Sequence, residues 1–439
     1  MGRAKKNWVR WMASFGLALV CVMGWGAQAS AEQTPWGQGE SEGKDLVISL
    51  LTFSPGDDIT QWFGHTAIAV RDTRLNRARV YNYGMFSLED EDILRHFAMG
   101  RLWFWVGNAP KGATIRAYAR QDRDVRQIEL NLPAQRRLEV AEFLADNVRP
   151  ENRDYLYHHY DDNCATRVRD VIDLAVGGQF EEKYGQQPGR MTLREHTRRH
   201  SQHIPAMDWL LMYLMNNSID EPTTVWQEMF LPAELERRVL EFEWTDDEGE
   251  LRPLSLREHE LHRAEERDPV PEEPATHWPW WLLLGLAVGG LGVLVGWTGR
   301  SRPGRWSRIR YGTYHLVVGL LLGLPGLLLG LMATFTDHTV TYWNQNLFWA
   351  NPLTLGVVAL SVMVLRGSLR GRRWLVGLWT VLALVALVGV VINLLGFAVP
   401  ALYQDTSSAM VLMLPILVGA VASAWMVDGE LLREEADGG

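Results

Sequence analysis

The chain has 439 residues, of which 47% are hydrophobic, 22% are charged and 10% are aromatic, which excludes both one small domain and a disordered chain. A net charge of −9 argues against a nucleic-acid binder, which needs a basic face. Two cysteines exclude a disulfide scaffold and a zinc site of four thiolates.

The N-terminus has the pattern of a secretory signal peptide. Basic residues precede an apolar run over 11–25, and small residues follow up to Ala31. We predict a signal peptide over residues 1–31, with cleavage after Ala31. Cys21 belongs to the apolar run that is removed, so Cys164 is expected to be the single cysteine of the mature chain.

Residues 32–264 have a mixed pattern that predicts an exported domain of strands and helices, the α+β class. The predicted strands are Asp45–Phe53, His65–Arg71, Arg79–Tyr83, Leu102–Gly107 and Val125–Leu132. The predicted helices are Leu88–Met99, Thr114–Gln121, Ala134–Asn147, Cys164–Ala175, Met207–Asn216 and Ala233–Phe242.

The C-terminal part predicts a membrane domain over 278–427, after a charged, proline-rich linker over 265–277 and before a cytoplasmic tail over 428–439. Nine arginines lie in the loops 300–310 and 366–373, whereas the other two loops hold no lysine or arginine. The positive-inside rule therefore places the arginine loops in the cytoplasm and the mixed domain outside. The five predicted spans are Trp278–Trp297, Tyr311–Phe335, Leu347–Leu365, Trp374–Val399 and Ala409–Val427.

Cys164 is the first candidate for chemistry. It begins a segment with helical periodicity, and Asn163 before it is a suitable N-cap residue. In the first turn, backbone N–H groups favour the thiolate and lower its pKa, and they can also hold an oxyanion. Cys164 is therefore a candidate nucleophile, and the alternative is a small buried core residue.

A thiol nucleophile needs a base, and His65 is the candidate. It starts the apolar segment HTAIAV after a glycine, from where it can face a helix N-terminus. Asn82, in the segment YNYG on the predicted neighbouring strand, can hold the imidazole in one tautomer. The alternatives are a strand-edge histidine bonded to backbone and an asparagine that caps a turn.

Arg167 and Arg169 are candidates for binding the phosphate of a lipid, with pairing to neighbouring aspartates as the alternative. Trp226 and Phe230 belong to an apolar cluster that can touch either a membrane or the domain core. His338 lies in a polar outer loop that is predicted on the same side as Cys164.

The histidines at 158 and 159 lie close to two aspartates, which raises the question of a metal site. Their spacing matches no zinc pattern. We therefore predict no metal and no cofactor.

The motifs WFGHTAIAV, YNYGMF and DNCATRVRD together resemble the Lnb-type lipoprotein N-acyltransferases of bacteria. The segments WQEMFLPAEL and DHTVTYWNQNLFWANPL are also similar to segments of that family, so the resemblance extends into the membrane domain. One departure is Ala165, where the family motif has serine. We expect this change to keep the chemistry and to remove a hydrogen bond near the oxyanion.

The resemblance implies a circularly permuted papain-like (NlpC/P60-like) exported domain, in which the histidine precedes the cysteine, followed by an all-α domain of five transmembrane helices. It also implies a multi-pass protein of the bacterial inner membrane with its catalytic domain in the periplasm. The implied reaction passes a fatty acyl group from a phospholipid to Cys164, with His65 as base, and then to the N-terminal amine of a lipoprotein. The residues themselves indicate the nucleophile and the base but neither donor nor acceptor.

Two other classes of protein stay open at this point. One is a periplasmic cysteine amidase or endopeptidase acting on cell-wall peptides, for which a single membrane span would suffice. The other is a non-catalytic envelope assembly protein in which Cys164 is merely buried.

Overall fold

The computed structural model describes residues 34–87 and 92–437, so the predicted signal peptide over 1–31 lies outside the described residues. The chain forms two compact units. The first unit contains the residues up to Arg190 together with Thr223–Val270, and the second contains Met191–Pro222 together with the residues from Pro271 onward. The segment Met191–Pro222 therefore packs with the C-terminal helices, although the sequence pattern groups it with the domain 32–264.

An antiparallel sheet organises the first unit. The strands in the described part of this unit are β1 (Leu46–Phe53), β2 (His65–Asp72), β3 (Arg77–Met85), β4 (Trp103–Pro110), β5 (Val125–Leu130), β6 (Asp154–Leu156), β7 (Glu243–Thr245), β8 (Leu251–Pro253) and β9 (Ser255–His262). Seven of them form the sheet, in the order β6-β4-β3-β2-β1-β5-β9. Its centre is apolar on both faces, since β1 reads LVISLLTF and is buried along almost its whole length. A separate hairpin pairs β7 with β8.

Helices cover this sheet, and the helix that begins at Cys164 packs on β2 and β3. The five predicted strands are confirmed, and so are the bounds of two helices, Ala134–Asn147 and Cys164–Ala175. Strand β9 has no counterpart in the prediction, because it pairs through its backbone while its polar side chains are mostly exposed. The helices in the described part of this unit are Ile93–Met99, Lys111–Ala119, Ala134–Asn147, Cys164–Ala175, Gln179–Tyr184, Val225–Glu228 and Pro232–Glu241.

The second unit is helical. Its described part contains four helices that are long and apolar enough to cross a membrane, and a bent pair of segments that counts as a fifth span only if the two are taken together. The shorter helices Leu193–Ser201 and Pro205–Leu214 come from the segment Met191–Pro222. The four long helices are Trp278–Ser301, Arg305–Phe335, Leu369–Gly396 and Ser407–Asp437, the last of which is apolar over Ser407–Val427.

The predicted third span, Leu347–Leu365, is wrong as one continuous helix. The segments Thr339–Phe348 and Pro352–Leu365 meet at a bend of 50°. The α-helix Leu355–Leu365 has 11 residues, which is too short for a bilayer core of about 30 Å at about 1.5 Å per residue. Pro352 follows Asn351 at the break, and proline cannot donate the backbone hydrogen bond that a continuous helix needs.

Small residues allow the first and last long helices to approach closely. A methyl group placed on Gly419 would lie only 2.1 Å from the carbonyl oxygen of Gly289, and one placed on Gly289 would lie 2.2 Å from that of Pro415. Close packing of this kind is how helices associate in an apolar solvent, where burial of apolar surface provides no driving force.

Candidate active site

Local capping interactions fix the N-terminus of the helix that begins at Cys164. The Asn163 side-chain oxygen accepts hydrogen bonds from the backbone N–H groups of Ala165 at 2.8 Å and Thr166 at 3.0 Å. In return, the Thr166 hydroxyl accepts a hydrogen bond from the backbone N–H of Asn163. The side-chain NH₂ group of Asn163 also donates a hydrogen bond to the Phe230 carbonyl at 3.0 Å. The predicted N-cap is confirmed, and Cys164 is the first residue of the helix.

His65 begins β2 and is held from several sides. Its Nε2 lies 3.3 Å from Asn82 Oδ1 on β3, and its ring stacks with Phe53 and Tyr118 at centroid distances of 5.7 and 5.9 Å. If the Asn82 oxygen accepts this hydrogen bond, Nε2 carries the proton and Nδ1 is the basic nitrogen. The structure thus brings together the candidate base and the candidate orienting residue.

The candidate nucleophile, Cys164, lies close to the start of the same strand. The backbone N–H groups of Thr66, Ala165 and Cys164 itself lie close to the thiol and act to lower its pKa. Thr66 directly follows His65 in β2, so the helix N-terminus and the strand that carries the histidine meet at the sulfur. This convergence of amide donors on one atom is the arrangement that stabilises a thiolate or an oxyanion.

The net pKa shifts differ from the sequence expectation for the thiol. Burial raises the pKa of Cys164 above its ordinary value, although the amide hydrogen bonds and Arg123 act to lower it. Burial, together with the positive charge of Arg123, lowers the pKa of His65 to about 4. Both groups are therefore neutral near pH 7.

Arg123 is a charged residue of this site that the sequence analysis missed. Its side chain is 2% exposed, its Nε donates to the Ser54 carbonyl at 2.6 Å, and its guanidinium lies 4.7 Å from the centre of the Tyr118 ring. Within the described part of the chain it has no carboxylate partner, and its Nη2 makes no hydrogen bond. The surrounding sequence QDRDV has the pattern of a solvated loop, so nothing in it indicates a buried cation.

Both arginines that are predicted to bind a lipid phosphate have carboxylate partners within the chain. Arg167 contacts Asp162 with two nitrogens, one of them at 2.6 Å, and its guanidinium lies 4.5 Å from the ring centre of Tyr155. Arg169 pairs with Asp170 at 2.9 Å. These contacts agree with the alternative interpretation of the two residues, and phosphate binding stays a prediction.

The apolar candidates lie in the core of the first unit. Phe230 is buried and packs edge-on against Tyr160 at 5.1 Å. Trp226 is partly buried against the core, with the guanidinium of Arg169 at 3.8 Å from its ring centre. Substrate contact by these two residues stays a prediction, as does that by His338, which lies in the second unit before the turn Thr339–Thr341.

Comparison with known families gives two matches in this chain. The sequence model of the Lnb N-terminal periplasmic domain matches residues 32–199, and that of the Lnb transmembrane domain matches residues 301–426. The first match contains the candidate nucleophile, base and orienting residue. No curated protein and no solved structure matches the chain.

Proposed function

The chain belongs to the Lnb family, whose periplasmic and transmembrane domains it carries, and from this premise we propose that it transfers a fatty acyl group through a thioester to the N-terminal amine of lipoproteins. Membership of this family indicates a membrane-associated protein that takes part in lipoprotein processing. The acyl transfer, its phospholipid donor and its lipoprotein acceptor are the content of the proposal.

One observation carries the proposal: a cysteine at a capped helix N-terminus meets the strand that begins with a histidine, and an asparagine orients that histidine. The same arrangement supports a papain-like fold in permuted order, because the strand that carries His65 precedes the helix that carries Cys164. A nucleophile, its base and a group that orients the base are the parts that thiol acyl transfer needs.

The first half of the reaction acylates the cysteine. Nδ1 of His65 takes the proton of Cys164 as the sulfur attacks the ester carbonyl carbon of the phospholipid. The tetrahedral adduct collapses to the thioester, and the leaving lysophospholipid oxygen takes the proton from the imidazole. Because both groups are neutral at rest, the histidine acts as a general base and no preformed ion pair is needed.

The second half transfers the acyl group to the acceptor. The α-amine of the lipoprotein cysteine attacks the thioester carbon, the C–S bond breaks, and an amide forms. His65 takes a proton from the attacking amine and returns it to the sulfur of Cys164, which restores the enzyme. A helical unit that can span a membrane suits this chemistry, since the donor is a membrane lipid and the acceptor is a protein with a lipid anchor.

The proposal is tested in cells depleted of their own lipoprotein N-acyltransferase. Expression of the full chain should restore N-acylated lipoproteins, measured by mass spectrometry of lipoprotein N-termini. Cys164→Ser and His65→Ala should each reduce the product by about 10⁴-fold or more, as expected for groups that act as a unit. His259→Ala is the matched control, because this histidine lies partly exposed on the edge strand β9.

Two outcomes would contradict the proposal. If the wild-type chain restores no N-acylated product, the acceptor is wrong, and release of cell-wall peptides would then favour an amidase. If the two variants restore as much product as wild type, the site is wrong. A long-chain acyl group on Cys164 that hydroxylamine releases would exclude a non-catalytic assembly role.

A further inference from the structure

The hydroxyl of Tyr155 is a buried polar group whose hydrogen bonding needs an explanation. Tyr155 lies in the middle of the short strand β6 and is 8% exposed. Within the described residues its Oη makes no hydrogen bond. Such groups are rare, because a buried hydroxyl that loses its water without a replacement destabilises the fold. The group therefore calls for an explanation in terms of a ligand.

Gly84 shows where this hydroxyl lies. A methyl group placed on Gly84 would be 3.8 Å from Tyr155 Oη and 3.8 Å from Cys164 Cβ. The hydroxyl and the nucleophilic residue therefore border the same gap, which the absence of a side chain at position 84 keeps open. Gly84 also has a φ of +86°, a conformation that favours glycine over residues with a Cβ.

The tyrosine ring is fixed in this position. The guanidinium of Arg167 covers the ring at 4.5 Å, and Tyr83 packs edge-on at 6.4 Å. Burial raises the pKa of Tyr155 well above its ordinary value, so the hydroxyl keeps its proton at any pH of interest. It is thus a fixed, protonated donor at the gap that Cys164 also borders, which is the kind of group that stabilises developing negative charge.

We propose that Tyr155 donates a hydrogen bond to the oxyanion that forms on the acyl carbonyl oxygen, an inference that rests on the proposed acyl transfer. As the bond from Cys164 sulfur to the carbonyl carbon forms, the π electrons of the carbonyl move to its oxygen, and the thiol proton goes to His65. The tyrosine hydroxyl donates its hydrogen bond to this oxygen and keeps its proton. When the carbonyl re-forms, the bond to the leaving group breaks, and the leaving oxygen takes the proton of His65.

The same donor serves the second half of the reaction. Attack of the lipoprotein amine on the thioester places negative charge on the same oxygen, and the Tyr155 hydroxyl again donates to it. The backbone amides at the helix N-terminus are the other donors of the site.

The test uses the full chain in detergent micelles and the acylation of Cys164 by p-nitrophenyl hexanoate, which requires neither phospholipid nor lipoprotein. Tyr155→Phe should lower the single-turnover acylation rate by about 10²–10³-fold, the loss expected for one oxyanion donor. Alkylation of Cys164 by iodoacetamide should be unchanged, because that reaction forms no oxyanion. The Tm should stay equal or rise, since the variant removes an unsatisfied buried group.

Tyr83→Phe is the matched control. Its hydroxyl contacts Asn147 Oδ1 at 3.3 Å, so we expect a lower Tm with an unchanged acylation rate. An acylation rate of Tyr155→Phe within threefold of wild type would overturn the proposal. The proposed function fails separately: a wild-type chain that is acylated by the ester but yields no N-acylated lipoprotein refutes the acceptor and leaves the role of Tyr155 standing.

Discussion

Two buried arginines, one in each unit, have opposite surroundings. Arg194 in the second unit is 2% exposed, and it contacts both carboxylate oxygens of Asp220 and the carbonyl of Asn216. Arg123 in the first unit is buried to the same degree, but it contacts one carbonyl and an aromatic ring and has no carboxylate partner in the described part of the chain.

The difference separates a charge that is neutralised by its contacts from a charge that acts on neighbouring titratable groups. A buried cation whose donors are all paired holds two segments together, and its charge is neutralised where it lies. A buried cation without a counter-ion keeps its field, which reaches the neighbouring titratable groups. Arg194 is of the first kind. Arg123 is of the second kind, and His65 and Cys164 are the groups that its field reaches.

The largest expected effect is on stability, in the second unit. Arg194→Met leaves Asp220 as a buried carboxylate without its partner, which should lower the free energy of unfolding by about 3–5 kcal/mol. Scanning calorimetry of the full chain in detergent measures this as a lower Tm. The double variant Arg194→Met/Asp220→Leu should recover only part of the loss, because the Asp220 carboxylate is then gone while Asp405 still lacks the charge of Arg194.

Arg263→Met is the control for that experiment, since Arg263 makes an exposed ion pair with Glu260 and its removal should leave the Tm unchanged. If Arg194→Met is as harmless as this control, the pairing of Arg194 does not hold the segment Met191–Pro222 in place. The contrast with Arg123 would then disappear.

The second prediction concerns pH. A base must be neutral to accept a proton, so the low pKa of His65 places the acid limb of kcat/KM at about pH 4 rather than near 6.5. The same shift affects stability: between pH 6.5 and 4 the unfolded chain binds more protons than the folded one, so stability falls as the pH falls through this window. His159 acts with the same sign, because burial also lowers its pKa to about 4.

His65→Gln tests the stability part of this prediction. The Tm difference between pH 7 and pH 5 should become smaller in the variant, and His159→Gln should reduce it further. An unchanged Tm difference in both variants would show that burial does not hold the two imidazoles neutral. If the acid limb of kcat/KM in the wild type lies near pH 6.5, the pKa of His65 is not lowered by burial.

Asn82→Ala should reduce kcat by about tenfold, because the imidazole loses the contact that selects its tautomer. This factor corresponds to an increase of about 1.4 kcal/mol in the activation free energy. Asn82→Asp keeps a hydrogen-bond acceptor but adds a negative charge, which raises the pKa of His65. Its acid limb should therefore move to higher pH. An acid limb at the same pH in Asn82→Asp would contradict the contact between the two side chains.

The parts of this site that the sequence could predict are those fixed by neighbours in the chain. The N-cap Asn163 and the apolar spacing after Cys164 define the helix start, and a glycine before His65 defines the strand start. Tyr155 and Arg123 could not be found in this way. Tyr155 lies in a three-residue strand, and the burial of Arg123 comes from its packing on Tyr118.

Contacts between distant residues also decide which unit the segment Met191–Pro222 belongs to, and the sequence does not show such contacts. The polarity of the segment Met191–Pro222 indicates an exported domain, but its polar side chains are used in contacts within the second unit. Asn216 donates to the carbonyls of Thr339 and Tyr342, which lie more than a hundred residues away in the sequence. The break at Pro352 could not be predicted from the proline alone, because Pro325 and Pro415 lie inside the unbroken helices Arg305–Phe335 and Ser407–Asp437.

The smallest expected effect, and the most direct test of the comparison, is that of Arg123. Arg123→Gln keeps a donor for the Ser54 carbonyl and removes the charge, so the pKa values of Cys164 and His65 should both rise. The alkylation rate of Cys164 at pH 8 should fall by about threefold, and the acid limb of kcat/KM should move to higher pH.

Arg123→Lys retains the charge without the guanidinium geometry, so it should keep both properties close to those of wild type even if it lowers the Tm. Arg137→Gln is the matched control, because Arg137 also donates to a strand carbonyl, that of Leu46, but is not among the groups that shift either pKa. A purely structural Arg123 would give a different result: Gln and Lys would lower the Tm together, and neither would move the alkylation rate or the acid limb. If the charge of Arg123 acts on the chemistry, the variants Arg123→Lys and Arg123→Gln must therefore differ from each other. The difference must lie in the alkylation rate and the acid limb of kcat/KM rather than in the Tm.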